Sequence, residues 1–211
     1  MPRPFKPRSK RTPKQQHSNS NGSKNRSKAQ RNWSAPQQKF NSEPFRFHQE
    51  FTVTIESLSN QGDGVSKVDI PDKGVSSWVI FTPFTIPGES VKIRITSNTK
   101  NCSIAEIVEI ITPSPNRKEA ECAHFKICGG CQYQHIGYEF QLGEKTSQIQ
   151  QLLSDIAGIE AVVNASIASP KGFYYRSKFT PHVRKPYNGK ISNIGFVAKA
   201  RDREYIDVEH C

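Results

Sequence analysis

The sequence has no long apolar run: nowhere among its 211 residues does it approach the roughly 20 consecutive apolar residues that a membrane-spanning helix needs. Met1 is also not followed by the roughly 7 to 15 apolar residues of a secretory signal. We therefore expect a cytoplasmic protein without a membrane partner. Only 34% of the residues are hydrophobic, which suits one or two small cores rather than one large fold.

Acidic side chains are almost missing from the first 46 residues, which hold twelve Lys or Arg and one acid, Glu43. The other 165 residues hold 18 basic and 18 acidic side chains, so the formal net charge of +11 arises entirely in this segment. Its Pro, Ser, Asn and Gln cannot bury enough apolar surface to offset the entropy of ordering. We predict a disordered basic tail over residues 1–46 that binds RNA by counterion release, with a solubilising extension as the alternative.

From Phe51 onward, short runs with high β propensity alternate with turn residues. The runs are Thr52–Ile55, Trp78–Phe81, Val91–Ile95 and Ile104–Ile111, and the turns include Asn60–Gly64 and Pro87–Gly88. Four or five short strands within such a length predict a small closed β-barrel over residues 47–111.

A second domain is predicted after a linker over residues 112–117, where Pro113 and Pro115 rule out a helix and a central strand. This domain, over residues 118–211, has one clear helix from about Gly137 to Asp155. Its predicted apolar face consists of Tyr138, Leu142, Ile149, Leu152, Leu153 and Ile156, and Gly158 is its predicted stop. Strand-like runs follow at Tyr174–Phe179, Ile194–Val197 and Tyr205–Val208, which makes the domain α+β and the whole chain mixed in fold class.

Five cysteines in an intracellular chain indicate metal ligands or reactive thiols rather than a disulfide framework. Three of them cluster as Cys122-x5-Cys128-Gly-Gly-Cys131. The two glycines let the backbone curl so that neighbouring thiolates point at one centre, while amides remain free to hydrogen-bond to sulfur. The pattern therefore predicts a metal-binding loop rather than three buried free cysteines.

A fourth thiolate must come from Cys102 or Cys211, and we choose Cys211 because it lies in the same predicted domain as the cluster. Four thiolates without a second closely spaced pair favour an iron-sulfur cluster over structural zinc. In the zinc alternative, the possible additional ligands are His124, His135 and His210.

The cysteine cluster, with Gln134-His135, Tyr138 and Lys145 behind it, resembles the iron-sulfur motif of the RNA (uracil-5-)-methyltransferases, particularly those that act on large-subunit ribosomal RNA. The resemblance runs from about residue 48 to the end. Upstream it rests on Gly62–Val65, Pro87–Val91 and the Pro113-Ser-Pro115-x-Arg117 exit, which are similar to the TRAM domain. Downstream it rests on Tyr175–Lys178, Ile194–Phe196 and Asp207-Val208-x2-Cys211, although Ser177 stands where the family usually has Asn.

The resemblance implies an OB-like, RNA-binding TRAM barrel followed by an iron-sulfur domain whose 4Fe-4S cluster is held by Cys122, Cys128, Cys131 and Cys211. It also places the S-adenosylmethionine pocket, the nucleophile and the base of the methyl transfer in a domain after the fourth cysteine. We therefore expect no catalytic residue and no methyltransferase activity in this chain alone. The expected partners are RNA, of the ribosomal type, and a separate catalytic chain, while S-adenosylmethionine is expected only in a full-length family member.

Residues 171–203 combine positive charge with aromatic rings, as surfaces that bind single-stranded RNA do. They contain nine Lys or Arg against one acid, Asp202. The predicted RNA contacts are Arg176 and Lys178 for phosphates, and Phe173 and Tyr175 for bases, with a solvated face as the alternative. In a strand, Phe173 and Tyr175 would share one face and Tyr174 would take the other.

Three functions compete at this point. The first is the RNA-binding, amino-terminal part of a methyltransferase. The second is a stand-alone RNA-binding TRAM protein, and the third is a zinc-stabilised interaction module whose basic tail recruits an acidic partner. Iron with acid-labile sulfide, as opposed to zinc, separates the first two from the third.

Overall fold

A computed structural model describes residues 40–178, 180–183, 194–199, 201–208 and 211 of the chain. Most of the predicted tail, together with Phe179, Tyr187 and His210, lies outside these residues. The described residues all belong to one compact unit. No helix among them has the length and apolarity that a bilayer-spanning segment requires.

Six strands of the amino-terminal half form one sheet in the order β1-β5-β6-β4-β3-β2. They are β1 (Glu50–Thr54), β2 (Ser57–Leu58), β3 (Asp63–Ile70), β4 (Val75–Pro83), β5 (Ser90–Asn98) and β6 (Cys102–Thr112). Neighbouring strands are antiparallel except for β4 and β6, which pair in parallel. All four predicted runs therefore lie in or next to strands of this sheet.

The two edge strands of the sheet, β1 and β2, are separated by only two residues, Ile55 and Glu56. The Ile55 amide donates to the Glu89 carbonyl at 2.9 Å, beside the β1–β5 pair. The next amide, that of Glu56, donates to the Val65 carbonyl at 2.8 Å, beside the β2–β3 pair. The two residues between β1 and β2 are thus hydrogen-bonded beside both of the edge pairs of the sheet.

The core of the sheet follows the alternation that the sequence predicts for β5. Val91, Ile93 and Ile95 are all fully buried, and they pack with Ile55 and Ile80 from the opposing strands. Removing such aliphatic side chains from water contributes roughly 1.5 to 3 kcal/mol each. The period-2 pattern of a half-buried strand therefore decides which face of the sheet is the core.

The packed part of the chain begins ahead of the predicted boundary at residue 46. Phe45 is buried in the sheet core, and Phe40 packs against the same cluster. The buried Asn98 side chain donates to the carbonyls of Asn41 and Phe45, which fixes this segment on the end of β5. The sequence did not show this because the two phenylalanines stand among polar residues without any strand or helix period.

The carboxy-terminal half contains one helix and a three-stranded antiparallel sheet in the order β7-β8-β9. Helix α1 spans Tyr138–Gln151 and continues as a π-helical turn over Leu152–Ile156, close to the predicted bounds. Gly158 follows with a left-handed φ of 64°, as expected of a helix stop. The strands are β7 (His182–Val183), β8 (Ile194–Ala198) and β9 (Arg201–Asp207).

The predicted apolar face of α1 is only partly buried, because four of its six residues are half-buried and two are exposed. The one buried residue of α1 is Gln148, whereas Ile149 and Ile156 are 49% and 78% exposed. Polar side chains on α1 bind the returning segment: Thr146 bonds to Ser166, Gln150 to residues 161 and 163, and the Tyr138 hydroxyl to the Ser169 amide. Hydrophobic periodicity marked the helix but could not reveal these polar partners.

Residues 112–117, the predicted linker, form a packed junction. Glu89 is fully buried, and its carboxylate accepts from the Ile86 and Ser114 amides at 2.9 and 3.1 Å. It also accepts from Arg117 Nε and Nη2 at 2.5 and 2.7 Å. Because Arg117 additionally donates to the Phe84 carbonyl at 2.9 Å, the chain leaves the six-stranded sheet in one fixed direction.

A second contact joins the β2–β3 turn to the carboxy-terminal half. Gly62, at a φ of 87°, lies against the Tyr133 ring so closely that a Cβ would come within 2.9 Å of it. The Ser59 carbonyl accepts from Gln148 Nε2 at 3.1 Å, and Lys145 Nζ bonds to the Tyr133 hydroxyl at 2.9 Å. In the Gly62-Asp-Gly64 run, Gly62 therefore ends the turn and packs against Tyr133, while Asp63 and Gly64 begin β3.

Candidate metal centre and RNA-binding surface

The three clustered cysteines lie on a loop of consecutive turns between Cys122 and Cys131. The Phe125 amide donates to the Cys122 carbonyl at 3.0 Å, and the Cys128 amide donates to the His124 carbonyl at 2.8 Å. The side-chain oxygen of Gln134 accepts from the Cys122 amide at 3.1 Å, which fixes the start of the loop. Cys122 and Cys128 are half-buried, and Cys131 is exposed.

Gly130 makes the predicted amide-to-sulfur contact, whereas Gly129 has a packing role that the sequence did not show. A Cβ on Gly129 would stand 2.9 Å from the Val197 carbonyl oxygen, so no side chain fits at this position. The Gly130 amide donates to Cys128 Sγ at 3.4 Å, an amide-to-sulfur bond of the kind that stabilises a thiolate.

Strand β8 holds the cysteine loop from the other side. Cys128 forms an isolated antiparallel bridge with Ala198, and the Gly129 amide donates to the Val197 carbonyl at 2.9 Å. The Lys199 amide donates back to the Ile127 carbonyl at 2.8 Å. Because β8 pairs with β9, the loop, β8 and β9 belong to one hydrogen-bonded assembly, and Cys211 follows β9 in the sequence by four residues.

The electrostatics of Cys128 relate all four predicted ligands to one another. Burial raises the pKa of the Cys128 thiol, the Gly130 amide lowers it, and Cys131, Cys122 and Cys211 each raise it further. A thiol responds in this way only to other thiols that lie close by. Within the described part of the chain, no group of three or more His, Cys, Asp or Glu is yet arranged as a finished metal site. The donors nevertheless suit a centre that takes four thiolates.

The alternative ligands lie in other surroundings. Cys102 begins β6, with its Sγ 3.1 Å from Thr99 Oγ1, and does not contribute to the electrostatics of Cys128. His135 is only 2% exposed and packs against the rings of Phe84 and Phe125 at centroid distances of 6.2 and 5.4 Å. Neither ring nitrogen of His135 has a hydrogen-bond partner among the described residues. These surroundings favour a neutral aromatic packing role for His135.

We expect His135 to make the protein sensitive to mild acid. Burial, and then the charge of Arg117, lower the pKa of His135 to about 4 from its ordinary 6.5. Between these values the unfolded chain binds more protons, so the contribution is full above pH 6.5 and is lost as the pH falls toward 4. The free energy of unfolding should fall by on the order of 2 to 3 kcal/mol across this window. Urea denaturation of the wild type and of His135→Phe at several pH values measures this effect. If the free energy of unfolding falls equally with pH in both proteins, the prediction is contradicted.

The predicted RNA contacts lie on an irregular segment rather than on the expected strand. Residues 173–178 form bends, and Tyr174 has a left-handed φ of 55°, which interrupts an extended chain. Tyr174 and Tyr175 are therefore both exposed, at 88% and 69%, instead of pointing to opposite faces. Phe173 is half-buried, with Lys118 Nζ 5.6 Å from its ring centroid. Arg176 and Lys178 are exposed, as phosphate contacts must be.

A groove lies beside the cysteine loop, and the sequence analysis did not predict it. The groove has a volume of about 330 Å³ and is lined by Gly129, Gly130, His182 and the segment Phe196–Lys199. Its walls come from parts of the chain more than 50 residues apart, so only the pairing of the loop with β8 creates it. The one available sequence signal was the density of basic and aromatic residues in the segment 171–203.

Comparison with known proteins identifies the six-stranded sheet. Residues 51–116 match the family model described as tRNA (uracil(54)-C(5))-methyltransferase, TRAM domain. These residues form a TRAM domain. The match runs from the second residue of β1 to the end of β6 and on to Asn116, one residue before Arg117, whose amide donates to the Ser114 carbonyl in the junction that holds Glu89.

Similarity to RNA methyltransferases extends beyond the TRAM domain. A tRNA (uracil(54)-C(5))-methyltransferase of Schizosaccharomyces pombe is 32% identical over 80% of this chain and 32% of its own length. An uncharacterised RNA methyltransferase of Halalkalibacterium halodurans is 36% identical over 75% of this chain and 33% of its own. The crystal structure of the Pyrococcus abyssi tRNA (uracil-54, C5)-methyltransferase with S-adenosyl-L-homocysteine is 25% identical over 76% of this chain and 32% of that one, at a TM-score of 0.45. This chain therefore spans about a third of the length of these relatives.

Proposed function

We propose that this chain is the RNA-recognition part of an S-adenosylmethionine-dependent RNA (uracil-5-)-methyltransferase. The observation that carries the proposal is the TRAM match at residues 51–116, continued by similarity to RNA methyltransferases over four fifths of the chain. In this proposal the described residues bind and position RNA. S-adenosylmethionine, the nucleophile and the base belong to the part of the relatives' length that this chain does not span, or to a separate catalytic chain.

We propose that the six-stranded sheet of the TRAM domain is an OB-like barrel. The hydrogen bonds of Ile55 and Glu56 beside both of the edge pairs support a barrel in which β1 and β2 close the sheet. OB-like barrels bind single-stranded nucleic acid on their strand surface and loops. The basic residues before position 40 would add salt-dependent affinity.

We propose in addition that Cys122, Cys128, Cys131 and Cys211 hold a 4Fe-4S cluster. The influence of Cys131, Cys122 and Cys211 on the pKa of Cys128, together with the Gly130 amide bond to Cys128 Sγ, supports a centre of this kind. The cluster would tie the loop to the chain that follows β9 and would serve structure rather than redox chemistry. A zinc ion on the same thiols is the alternative, and the ratio of iron to acid-labile sulfide in the purified protein decides between them.

The RNA is the open part of the proposal. The cysteine motif resembles that of the enzymes acting on ribosomal RNA, whereas the matched domain model and the S. pombe relative are named for tRNA. We therefore test tRNA first and a ribosomal RNA fragment second. Fluorescence anisotropy should show binding of RNA that weakens linearly with the logarithm of salt, and stronger binding of one RNA class than of a DNA duplex of equal length. Equal affinity for all three would contradict RNA recognition.

Replacing Arg176 and Lys178 together by Ala should weaken RNA binding at every salt concentration. Two lost phosphate contacts should reduce the slope of log affinity against log salt by roughly 1.4 for single-stranded RNA. The unaltered chain, titrated over the same range of salt concentrations, is the reference. An unchanged slope in the double variant would show that residues 176 and 178 do not contact phosphates.

A further inference from the structure

We propose that the groove beside the cysteine loop, defined by Gly129, Gly130, His182 and Phe196–Lys199, binds one unstacked base of the RNA. This inference rests on the proposed function and assigns a particular position to a nucleotide. The groove volume of about 330 Å³ is at the lower end of the range for small-molecule sites, roughly 300 to 1,000 Å³, and suits one nucleotide rather than a helix.

The rings on one side of the groove provide a stacking surface. His182 is exposed on β7, and its ring lies parallel to that of Tyr205 on β9, at an interplanar angle of 3° and a centroid distance of 5.4 Å. Because Tyr205 supports the His182 ring, the ring is held in one plane before RNA arrives. Phe196 on β8 adds a second aromatic wall to the groove. A planar base stacks well on such fixed rings.

Among the described residues that line the groove, one is a cation, Lys199. Lys199 Nζ lies 3.4 Å from Asp63 Oδ1 and 5.4 Å from the centroid of the Phe84 ring, and both groups come from the TRAM domain. These contacts hold the ammonium group in place, while its remaining donors can reach a phosphate. A nucleotide with its base on His182 would therefore have its phosphate near a lysine that the TRAM domain holds in position.

The floor of the groove favours shape over base identity. The Gly129 amide is bonded to the Val197 carbonyl, and the Gly130 amide to Cys128 Sγ, so neither amide is available to read the edge of a base. Both glycines present only backbone atoms to the groove. We therefore expect the groove to accept different bases, since stacking depends little on base identity. A bound base would also cover the two glycines that lie between Cys128 and Cys131.

The test compares two histidines, each stacked on an aromatic ring. His182→Asn removes the groove ring. His48→Asn removes an exposed histidine that stacks on Phe47 at 3.8 Å, and Asn tolerates the left-handed φ of 59° found there. In anisotropy titrations of the whole chain with the RNA that binds best, His182→Asn should weaken binding about tenfold, as expected for one lost stacked base. His48→Asn should leave the affinity unchanged.

Photocrosslinking of the unaltered chain gives a second readout that does not depend on the folding of a variant. RNA carrying 4-thiouridine at successive single-stranded positions should crosslink at one position to the peptides containing His182 or Phe196–Lys199. Unchanged binding by His182→Asn, or crosslinks confined to other peptides, would overturn the inference while leaving RNA binding intact. If the unaltered chain does not bind RNA, the proposed function fails, and the inference fails with it.

Discussion

Glu89→Gln should lower the free energy of unfolding by about 3 to 5 kcal/mol, the usual result of removing one partner of a buried ion pair. Glu89 is fully buried, and four donors converge on its two oxygens: the Ile86 and Ser114 amides and two nitrogens of Arg117. An amide in its place loses the charge and leaves the largely buried Arg117 without a counterion. Thermal or urea unfolding of the purified chain measures the effect.

The acid side of the stability curve gives an independent check on Glu89. Burial raises the pKa of this carboxyl, but the hydrogen bonds from Arg117, Ser114 and Ile86 lower it more, so the net pKa lies below the ordinary 4.5. The stabilisation is therefore full above pH 4.5 and is lost as the pH falls through the lower pKa of the folded state. Glu89→Gln should remove this pH-dependent contribution to the free energy of unfolding. The contribution of Glu89 is lost at lower pH than that of His135.

Glu50→Gln is the matched control for this prediction. Glu50 also bonds to two cations, Lys92 and Arg94, but on the exposed face of β1 and β5. Because water screens that pair, its loss should change stability far less than the loss of Glu89. Arg117→Gln alone should be as harmful as Glu89→Gln, and the double variant should cost less than the sum of the two. Equal effects at positions 50 and 89 would show that the junction does not carry the stability assigned to it.

The junction also shows what sequence patterns can and cannot predict about this fold. Val91, Ile93 and Ile95 alternate with polar residues, and all three are buried. Alternate residues of a strand point to the same face, so this pattern places all three on the core side. Nothing local to Glu89 or Arg117 distinguishes a buried pair from two surface charges, since their contact joins positions 28 residues apart. The same limit applies to α1, whose apolar residues marked a helix while Gln148 became the buried one.

The cysteine loop was easier to predict because the residues that form it are close together in the sequence. Three thiols and two glycines within ten residues require a tight loop, and the structure contains one with the expected amide-to-sulfur bond. The approach of Val197 to Gly129 could not be predicted, because it depends on a strand about 70 residues later. For the same reason the groove was missed, although Phe196 had been noted among the aromatic residues of the segment.

Cys128→Ser should abolish metal binding and loosen the carboxy-terminal half of the chain while leaving the TRAM domain folded. Cys128 is the thiol influenced by all three of the other proposed ligands, and its neighbours bond to β8 on both sides. A cluster held by these thiols would connect the loop to the chain after β9, so its loss frees both ends at once. Iron, zinc and acid-labile sulfide per chain, together with hydrogen exchange, measure the result.

The control is Cys102→Ser, which removes a cysteine from the first position of β6. It should retain the full metal content and show unchanged exchange in residues 118–211. In Cys128→Ser, exchange should rise in β8, β9 and the loop, whereas β5 should stay protected because its core consists of fully buried aliphatic residues. Loss of metal without faster exchange in β8 would mean that the cysteines hold a centre that the fold does not need. If exchange in Cys128→Ser also rises in β5, the Glu89 junction and the metal centre would belong to one cooperative folding unit.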